Sequence, residues 1–391
     1  MSRLNIKIFG SLFLAGSLAF AESEPSWLAP QWGPLSPSIH LFGAVGDSSG
    51  DAEELAVGHH DPSRENGTVQ GLELGLSLRL EMVEGFAVHS FSYGADEEWE
   101  NGWEEAFLKI KDLPGGFELR GGRMLSRFGQ HNARHVHAWD FVDTPLVLGR
   151  FLGEDGLTLD GGDVTWLHQG IDRIFGVTLG FGDAHSHGHD HGHHDDDHDH
   201  TGDIAFDHDV FTGRIFGQFR PDDFNTYEAG FSLAMGDEEE GRKVSVYGLD
   251  FAYRWRENGL QPGGRAFNWA TEFLYRDVEK KSHGHHDDEE DHDDHDHDML
   301  PGGGEFGFYS KATYTLNQKL DVGARIGYVE GNKNLGTEER FRISPAVTTY
   351  LDPYRRALLR LQYNYDDLAH GEDAHSIWLQ FGLSFGGPEV R

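Results

Sequence analysis

The chain has 391 residues, 67 acidic against 32 basic side chains, a net charge of −35 and no cysteine. That charge repels nucleic acid, and the lack of thiols excludes a disulfide scaffold, a thiolate metal centre and a cysteine nucleophile. Glycine (52) and aromatics (27 Phe, 12 Tyr, 9 Trp) are abundant, yet only 37% of residues are hydrophobic, a composition that suits many strands with one apolar and one wet face.

Residues 1–21 read as a secretory signal. Arg3 and Lys7 give a basic start, Ile8 to Phe20 an apolar stretch, and Ala19-Phe20-Ala21 a small-x-small cleavage site before Glu22. Residues 22–36 read as a short periplasmic segment. After residue 21 no run of about 18 apolar residues occurs, so no transmembrane helix is expected.

From there a period of two dominates. In residues 70–82, Leu72, Leu74, Leu76, Leu78, Leu80 and Met82 alternate with Gly71, Glu73, Gly75, Ser77, Arg79 and Glu81. Hydrocarbon on one side and charge on the other is a strand, not a helix. The same reading gives sixteen strands, near 37–46, 68–82, 86–95, 102–112, 117–127, 161–168, 173–183, 208–220, 225–236, 243–256, 265–277, 305–316, 319–330, 339–351, 355–366 and 375–385. Connections after even strands are short, such as Val83-Glu84-Gly85 and Asp352-Pro353-Tyr354, except the longer Glu257 to Gly264; those after odd strands are mostly long and acidic. That asymmetry predicts an all-β, closed antiparallel transmembrane barrel over residues 37–391, with short periplasmic turns and long extracellular loops. Strands of this length cross hydrocarbon when tilted, the sheet must close because unpaired backbone cannot face lipid, and about sixteen strands leave a watery channel. The last strand ends on the aromatic Phe385, six residues before the end of the sequence.

The register opposite the apolar one should line the pore: Arg79, Lys109, Arg120, Arg214, Arg254, Arg276, Arg325, Arg356 and Arg360, with Glu73 and Glu272 among the acids. Mixed signs favour ion pairs that stiffen the wall over a selective anion ladder, and a polar lumen passes small hydrophilic solutes. The long connection 128–160, with His131, His135, His137, Trp139 and Asp143, is expected to fold inward as a constriction; the alternative is an external cap.

Histidine is segregated by loop. Of 25 histidines, 22 fall in or beside connections of the extracellular parity. His185, His187, His189, His191, His193, His194, His198 and His200 lie in one low-complexity segment, 183–209, and His283, His285, His286, His292, His295 and His297 in another, 283–298. Both interleave His with Asp and contain no Lys or Arg. Imidazole and carboxylate in flexible sequence make a weak multidentate collector for divalent metal, and zinc, nickel and copper all fit the ligand type.

The stretch Arg123-Met-Leu-Ser126-Arg-Phe128-Gly129, followed by Asn132, His135-Val-His137-Ala-Trp139-Asp-Phe141-Val142-Asp143-Thr-Pro145-Leu146 and Phe151-Leu-Gly153-Glu154-Asp155-Gly156-Leu157, resembles a family of zinc-regulated outer-membrane barrel proteins, sometimes labelled TonB-dependent receptors. Asp140 and Thr144 stand where that pattern carries a proline and an arginine. The resemblance implies an association with zinc. The receptor label is not adopted, because such receptors need about 22 strands and an N-terminal plug, and the segment before the first strand is too short for one.

The expected function is therefore a porin-like channel for small hydrophilic solutes, with no required cofactor and with loops that gather divalent metal. Its expected partners are outer-membrane lipid, the solutes or metal ions, and possible sister copies in a homotrimer. Two alternatives remain: an exported soluble zinc-binding protein, which needs amphipathic helices not found here, and a metal-sequestering surface barrel without transport. No Gly-x-Ser-x-Gly or Ser/His/acid set marks an enzyme. Because protons compete for imidazole near its reference pKa of about 6.5, zinc held by the two segments should be released between about pH 7 and 5.5. Equilibrium dialysis showing constant zinc across that range would exclude histidine ligation there.

Overall fold

The computed structural model describes residues 28–95, 97–184, 205–282, 299–369, 371–387 and 389–390. Sixteen long strands form one sheet: β1 (Leu35–Ser48), β2 (Thr68–Arg79), β3 (Val83–Tyr93), β4 (Trp99–Leu113), β5 (Phe117–Leu125), β6 (Thr158–Gln169), β7 (Arg173–Ala184), β8 (His208–Phe219), β9 (Asn225–Asp237), β10 (Lys243–Arg256), β11 (Ala266–Val278), β12 (Gly303–Asn317), β13 (Leu320–Val329), β14 (Arg340–Tyr350), β15 (Ala357–Leu368) and β16 (Ala374–Gly386). Each pairs antiparallel with its sequence neighbours, and β1 closes on β16 with Ile39 opposite Phe385. No strand of this sheet has a free edge, so the ladder runs unbroken around the wall apart from local bulges. Among the described residues no helix is long and apolar enough to cross a membrane.

The side-chain period of two assigns each strand a greasy and a polar face. Leu74, Leu249, Phe273, Leu361 and Leu379 all point away from the barrel and are exposed (43–59%). Their chain neighbours Glu73, Asp250, Glu272, Arg360, Gln362 and Gln380 point inward and are buried. A soluble protein of this size would hide such an apolar belt; a barrel immersed in lipid leaves it outermost.

Several boundaries differ from the sequence reading. The first reversal is at residues 80–82, where Leu80 N–H bonds the Val83 carbonyl at 2.8 Å, so Val83-Glu84-Gly85 belongs to β3 rather than to the turn. β6 starts at Thr158, not 161, because Thr158 pairs with Leu125 and carries the ladder to the edge of the long connection. β1 starts at Leu35 against Leu78 of β2. Residues 185–204 and 283–298 of the two His/Asp segments, with all fourteen of the histidines assigned to metal there, lie outside the described residues; a two-residue pairing of Lys281–Ser282 with Met299–Leu300 flanks the second.

After β16 the chain turns back into the barrel. Gly386 has φ +120°, and a Cβ there would meet Ser38 at 2.5 Å, so glycine is required at the turn. The turn seats Val390, almost fully buried, among Phe86, Val88, Phe107 and Met124. The residues after Phe385 are therefore part of the interior packing.

A test of the two-faced wall is Leu361→Arg near the middle of β15. A cation on the lipid side should cost about 2–4 kcal/mol, read from urea unfolding in vesicles. Unchanged stability would mean that this face does not contact hydrocarbon.

Candidate functional site

The connection from β5 to β6 (residues 126–157) enters the lumen and is bonded around most of the wall. Its neck is fastened by Asn132, whose amide donates to the carbonyls of Ser126 and Leu157 (2.9 and 3.0 Å) and accepts from Leu157 N–H at 2.8 Å. Just inside, Gln130 and His131 N–H groups both donate to Glu272 (3.0 Å each), Gln130 donates to Asp250 (2.8 Å), and Arg214 donates to the Gly129 carbonyl.

Two histidines meet the opposite wall. A β-bulge in β4 sets Val88 opposite Glu105 and His89 opposite Trp103, so Glu104 is an extra residue turned inward beside Glu105. His135 is held between them, Nδ1 on Glu104 and Nε2 on Glu105. His137 donates through Nδ1 to Glu73 at 2.6 Å, and its Nε2 lies 3.5 Å from Glu389 of the C-terminal tail. Burial alone would lower the His137 pKa, but Glu389 and Glu73 overcome it and hold it at about 9. His131 is buried beside Lys311, Arg134 and Arg325, and burial together with these cations drives its pKa well below the ordinary value.

The far side is anchored by carboxylates on guanidinium and ammonium groups. Asp143 is saturated: one oxygen accepts from Arg325 (2.5 Å) and Gln362 (2.6 Å), the other from Arg342 (2.8 Å) and Asn364 (3.0 Å). Burial raises its pKa, but Arg325 and Arg342 more than offset that and keep it ionised. Asp140 binds Lys311 at 2.7 Å. Arg360 donates to the carbonyls of Trp139 and Phe141. At Thr144, the other departure from the resembled pattern, the backbone N–H donates to Asp61 at 2.6 Å.

The chain then climbs back as a short helix, α1 (Leu146–Leu152), which buries Leu146, Val147, Leu148, Phe151 and Leu152. Its seat is an apolar patch on the inner wall, including Val244, Val246, Leu274, Val278 and Val329. Gly149 lets the β1–β2 connection lie against the helix, since a Cβ there would meet the Val57 carbonyl at 2.0 Å. That connection covers the inward segment from outside. Arg340 and Arg342 both bind its Leu55 carbonyl, and Gln70 of β2 bonds the carbonyls of both His60 and Val142.

These contacts revise three expectations. The connection 128–160 folds inward as expected and not as an external cap, so His131, His135 and His137, which loop parity counted with the exterior histidines, lie inside, where the wall supplies their partners. The lumen at this level is packed rather than open. The inward charges do not pair only with one another along the wall; Arg214, Arg276, Arg325, Arg360 and Glu272 bond the inward segment, while Arg120 with Asp163, Lys109 with Glu84 and Arg254 with Glu228 are wall-to-wall pairs. Arg79 and Arg356 stand at the ends of β2 and β15 near the short turns, partly buried. Toward those turns the lumen stays wet, with Glu118, Arg254 and Asp321 retaining about a fifth of their side-chain exposure (20–23%). Sequence reasoning missed Glu104, which needs the bulge to face inward, and Glu389, which needs the tail to fold back. It also missed Asp61, Gln70 and Gln362, polar groups with no charge pattern to flag them.

No family model matches the chain. An uncharacterised protein of Aquifex aeolicus is 45% identical over 64 residues, 16% of this chain and 13% of that protein. Among solved structures, a loop L8 deletion mutant of the outer-membrane protein OmpT of Vibrio cholerae aligns with a TM-score of 0.55 over 90% of this chain and 99% of that one, at 11% identity. The outer-membrane channel DcaP of Acinetobacter baumannii gives 0.53 over 90% and 96%, at 11% identity. OprB of Pseudomonas putida gives 0.52 over 90% and 94%, at 9% identity. The fold and its lipid-facing belt are those of a bacterial outer-membrane β-barrel. The chain's closed sixteen-strand architecture is similar to that of these outer-membrane barrels.

Replacing Asp143 by Ala would leave Arg325 and Arg342 buried without their shared carboxylate, at a cost of about 3–5 kcal/mol. The expected result is faster protease cleavage within residues 129–152 of the folded barrel. Protection equal to wild type would show that the segment is held without this ion pair.

Proposed function

We propose that the chain is a passive outer-membrane channel for small hydrophilic solutes, not an enzyme, whose passage is controlled by the β5–β6 connection. The observation that carries the reading is the pairing of a closed, lipid-facing wall with a polar interior whose charges grip one inward segment. A structural bolt alone would not need a wetted vestibule on the side of the short turns. One structural neighbour, DcaP of Acinetobacter baumannii, is itself described as an outer-membrane channel, which supports the reading.

The two His/Asp segments extend it. They would collect divalent metal weakly at the mouth, zinc first, a role supported by their composition and by the family resemblance. Deleting residues 183–209 and 283–298 removes 18 acids and no bases, so much of the long-range attraction for cations would go with them.

Planar-bilayer recording of the refolded chain tests the channel. Wild type should give small steps, and Asp143→Ala larger ones, as the segment leaves the lumen. If neither protein carries current above the bare bilayer, the transport reading fails.

A further inference from the structure

One cluster inside the barrel is not explained by anchoring the inward segment. His40 of β1, Glu73 of β2, His137 of the inward segment and Glu389 of the tail each bring one nitrogen or oxygen to within 4.8 Å of the others. His40 is 5% exposed, and neither of its ring nitrogens makes a hydrogen bond. Glu73 is fully buried; one oxygen accepts from His137, and the other has no hydrogen-bond partner. Leaving such groups in a dry interior is costly, so something should satisfy them.

The spacing identifies what fits. Nε2 of His40 and Nε2 of His137 lie 3.6 and 3.5 Å from the same Glu389 oxygen. That is too long for hydrogen bonds. Two ligands bound at about 2.1 Å on a tetrahedral ion stand about 3.4 Å apart. The His40 and His137 rings are stacked, 3.8 Å between centroids and 11° between planes, so a turn of one ring is needed for both Nε2 atoms to meet one ion. Glu73 fixes His137 through Nδ1 and leaves Nε2 as the donor, as carboxylates do behind metal-bound histidines. The charges also agree. One proton on His137 would offset only one of the two carboxylates, whereas a divalent ion offsets both.

The other interior histidines lack this combination. Both nitrogens of His135 are taken by Glu104 and Glu105. His131 has no hydrogen-bond partner on its ring, but its neighbours Lys311, Arg134 and Arg325 repel a cation.

The geometry points to a site for one divalent transition-metal ion of the zinc type, bound by His40, His137 and Glu389, with Glu73 holding His137 from behind and water completing the shell, which pins the inward segment and the C-terminal tail to the barrel wall. The three donors come from three separate stretches of chain, so the ion would act as a cross-link. It is independent of the two His/Asp segments, which lie elsewhere in the sequence. It does not require that the barrel conduct.

The test uses the full-length refolded protein. Loaded with Zn²⁺ and then washed with an excess of a weak chelator to strip loosely held metal, it should retain one ion per chain by atomic emission. Co²⁺ in place of Zn²⁺ should give the intense visible bands of four-coordinate nitrogen and oxygen ligation. His40→Gln and His137→Gln should each weaken retention at least ten-fold, whereas replacing the histidines of 185–200 and 283–297 should leave the single ion in place. If His137→Gln refolds poorly, a chain ending at Gly386 removes Glu389 while leaving the strand ladders intact, and it should lose the ion as well. No retained ion in the wild type, or one that survives both His40→Gln and the truncation, would overturn the site. Occupancy is read without current, so a silent bilayer would remove the channel reading and leave this one standing.

Discussion

A backbone amide in hydrocarbon has no water to turn to, and the rest of this structure follows from that constraint. The ladder must be continuous, so it must close, and β1 meets β16 residue by residue from Ser38 with Gly386 to Ser48 with Ser376. Closure then separates two environments by sequence parity. Leu74 and Glu73 are chain neighbours, yet one faces lipid and the other the dry, charged interior. Glycine and aromatic content rises because the outer face must be smooth and apolar while the inner face must leave room for what occupies it.

What occupies it is a segment that could not have stayed outside without leaving the inner wall unsatisfied. Arg325, Arg342 and Arg360 all face the lumen and are almost fully buried. Each would be costly if dry and unpaired. Asp143 and the carbonyls of Trp139, Phe141 and Asp143 satisfy them, and in return the wall satisfies a segment with little regular structure of its own. Each side compensates the other's buried polar groups, so single substitutions at Asp143 or Arg342 should act on position and stability together.

The sequence made the wall legible because lipid demands apolar side chains at every second position over ten or more residues, a signal long enough to survive bulges. It flagged the inward residues too, since parity alone assigns Arg325 or Glu272 to the wet side. It did not reveal their partners, because those are set by contacts across the barrel between residues such as Gln130 and Asp250, 120 positions apart. Glu104 was hidden for a local reason: one extra residue in β4 reverses its face. The seat of α1 left a trace that parity reading passes over. In β10 the outer end runs Lys243-Val244-Ser245-Val246-Tyr247, and valines on the inward register mean that an apolar partner covers them from within. The tail was invisible because nothing in six residues beyond an aromatic end tells whether they leave the barrel or enter it.

The way the segment is held also decides which part of it can yield. Both ends are fixed: Leu125 and Thr158 pair in the wall, and Asn132 ties the neck together. The segment therefore cannot leave as a body and must bend about these points. Its two halves resist differently. Withdrawing α1 would uncover Leu146, Val147, Phe151 and their seat, at about 25 cal/mol for each Å² exposed, with no compensation from water. Withdrawing the tip, residues 134–143, breaks hydrogen bonds and ion pairs that water and counter-ions can largely replace once the space is wet. The tip borders the watery half of the lumen, where Arg254 and Asp321 already keep solvent contact. Solvent thus reaches the polar contacts from the side of the short turns while the apolar helix stays seated near the mouth. Any opening of this barrel should begin at the tip, with α1 acting as its hinge.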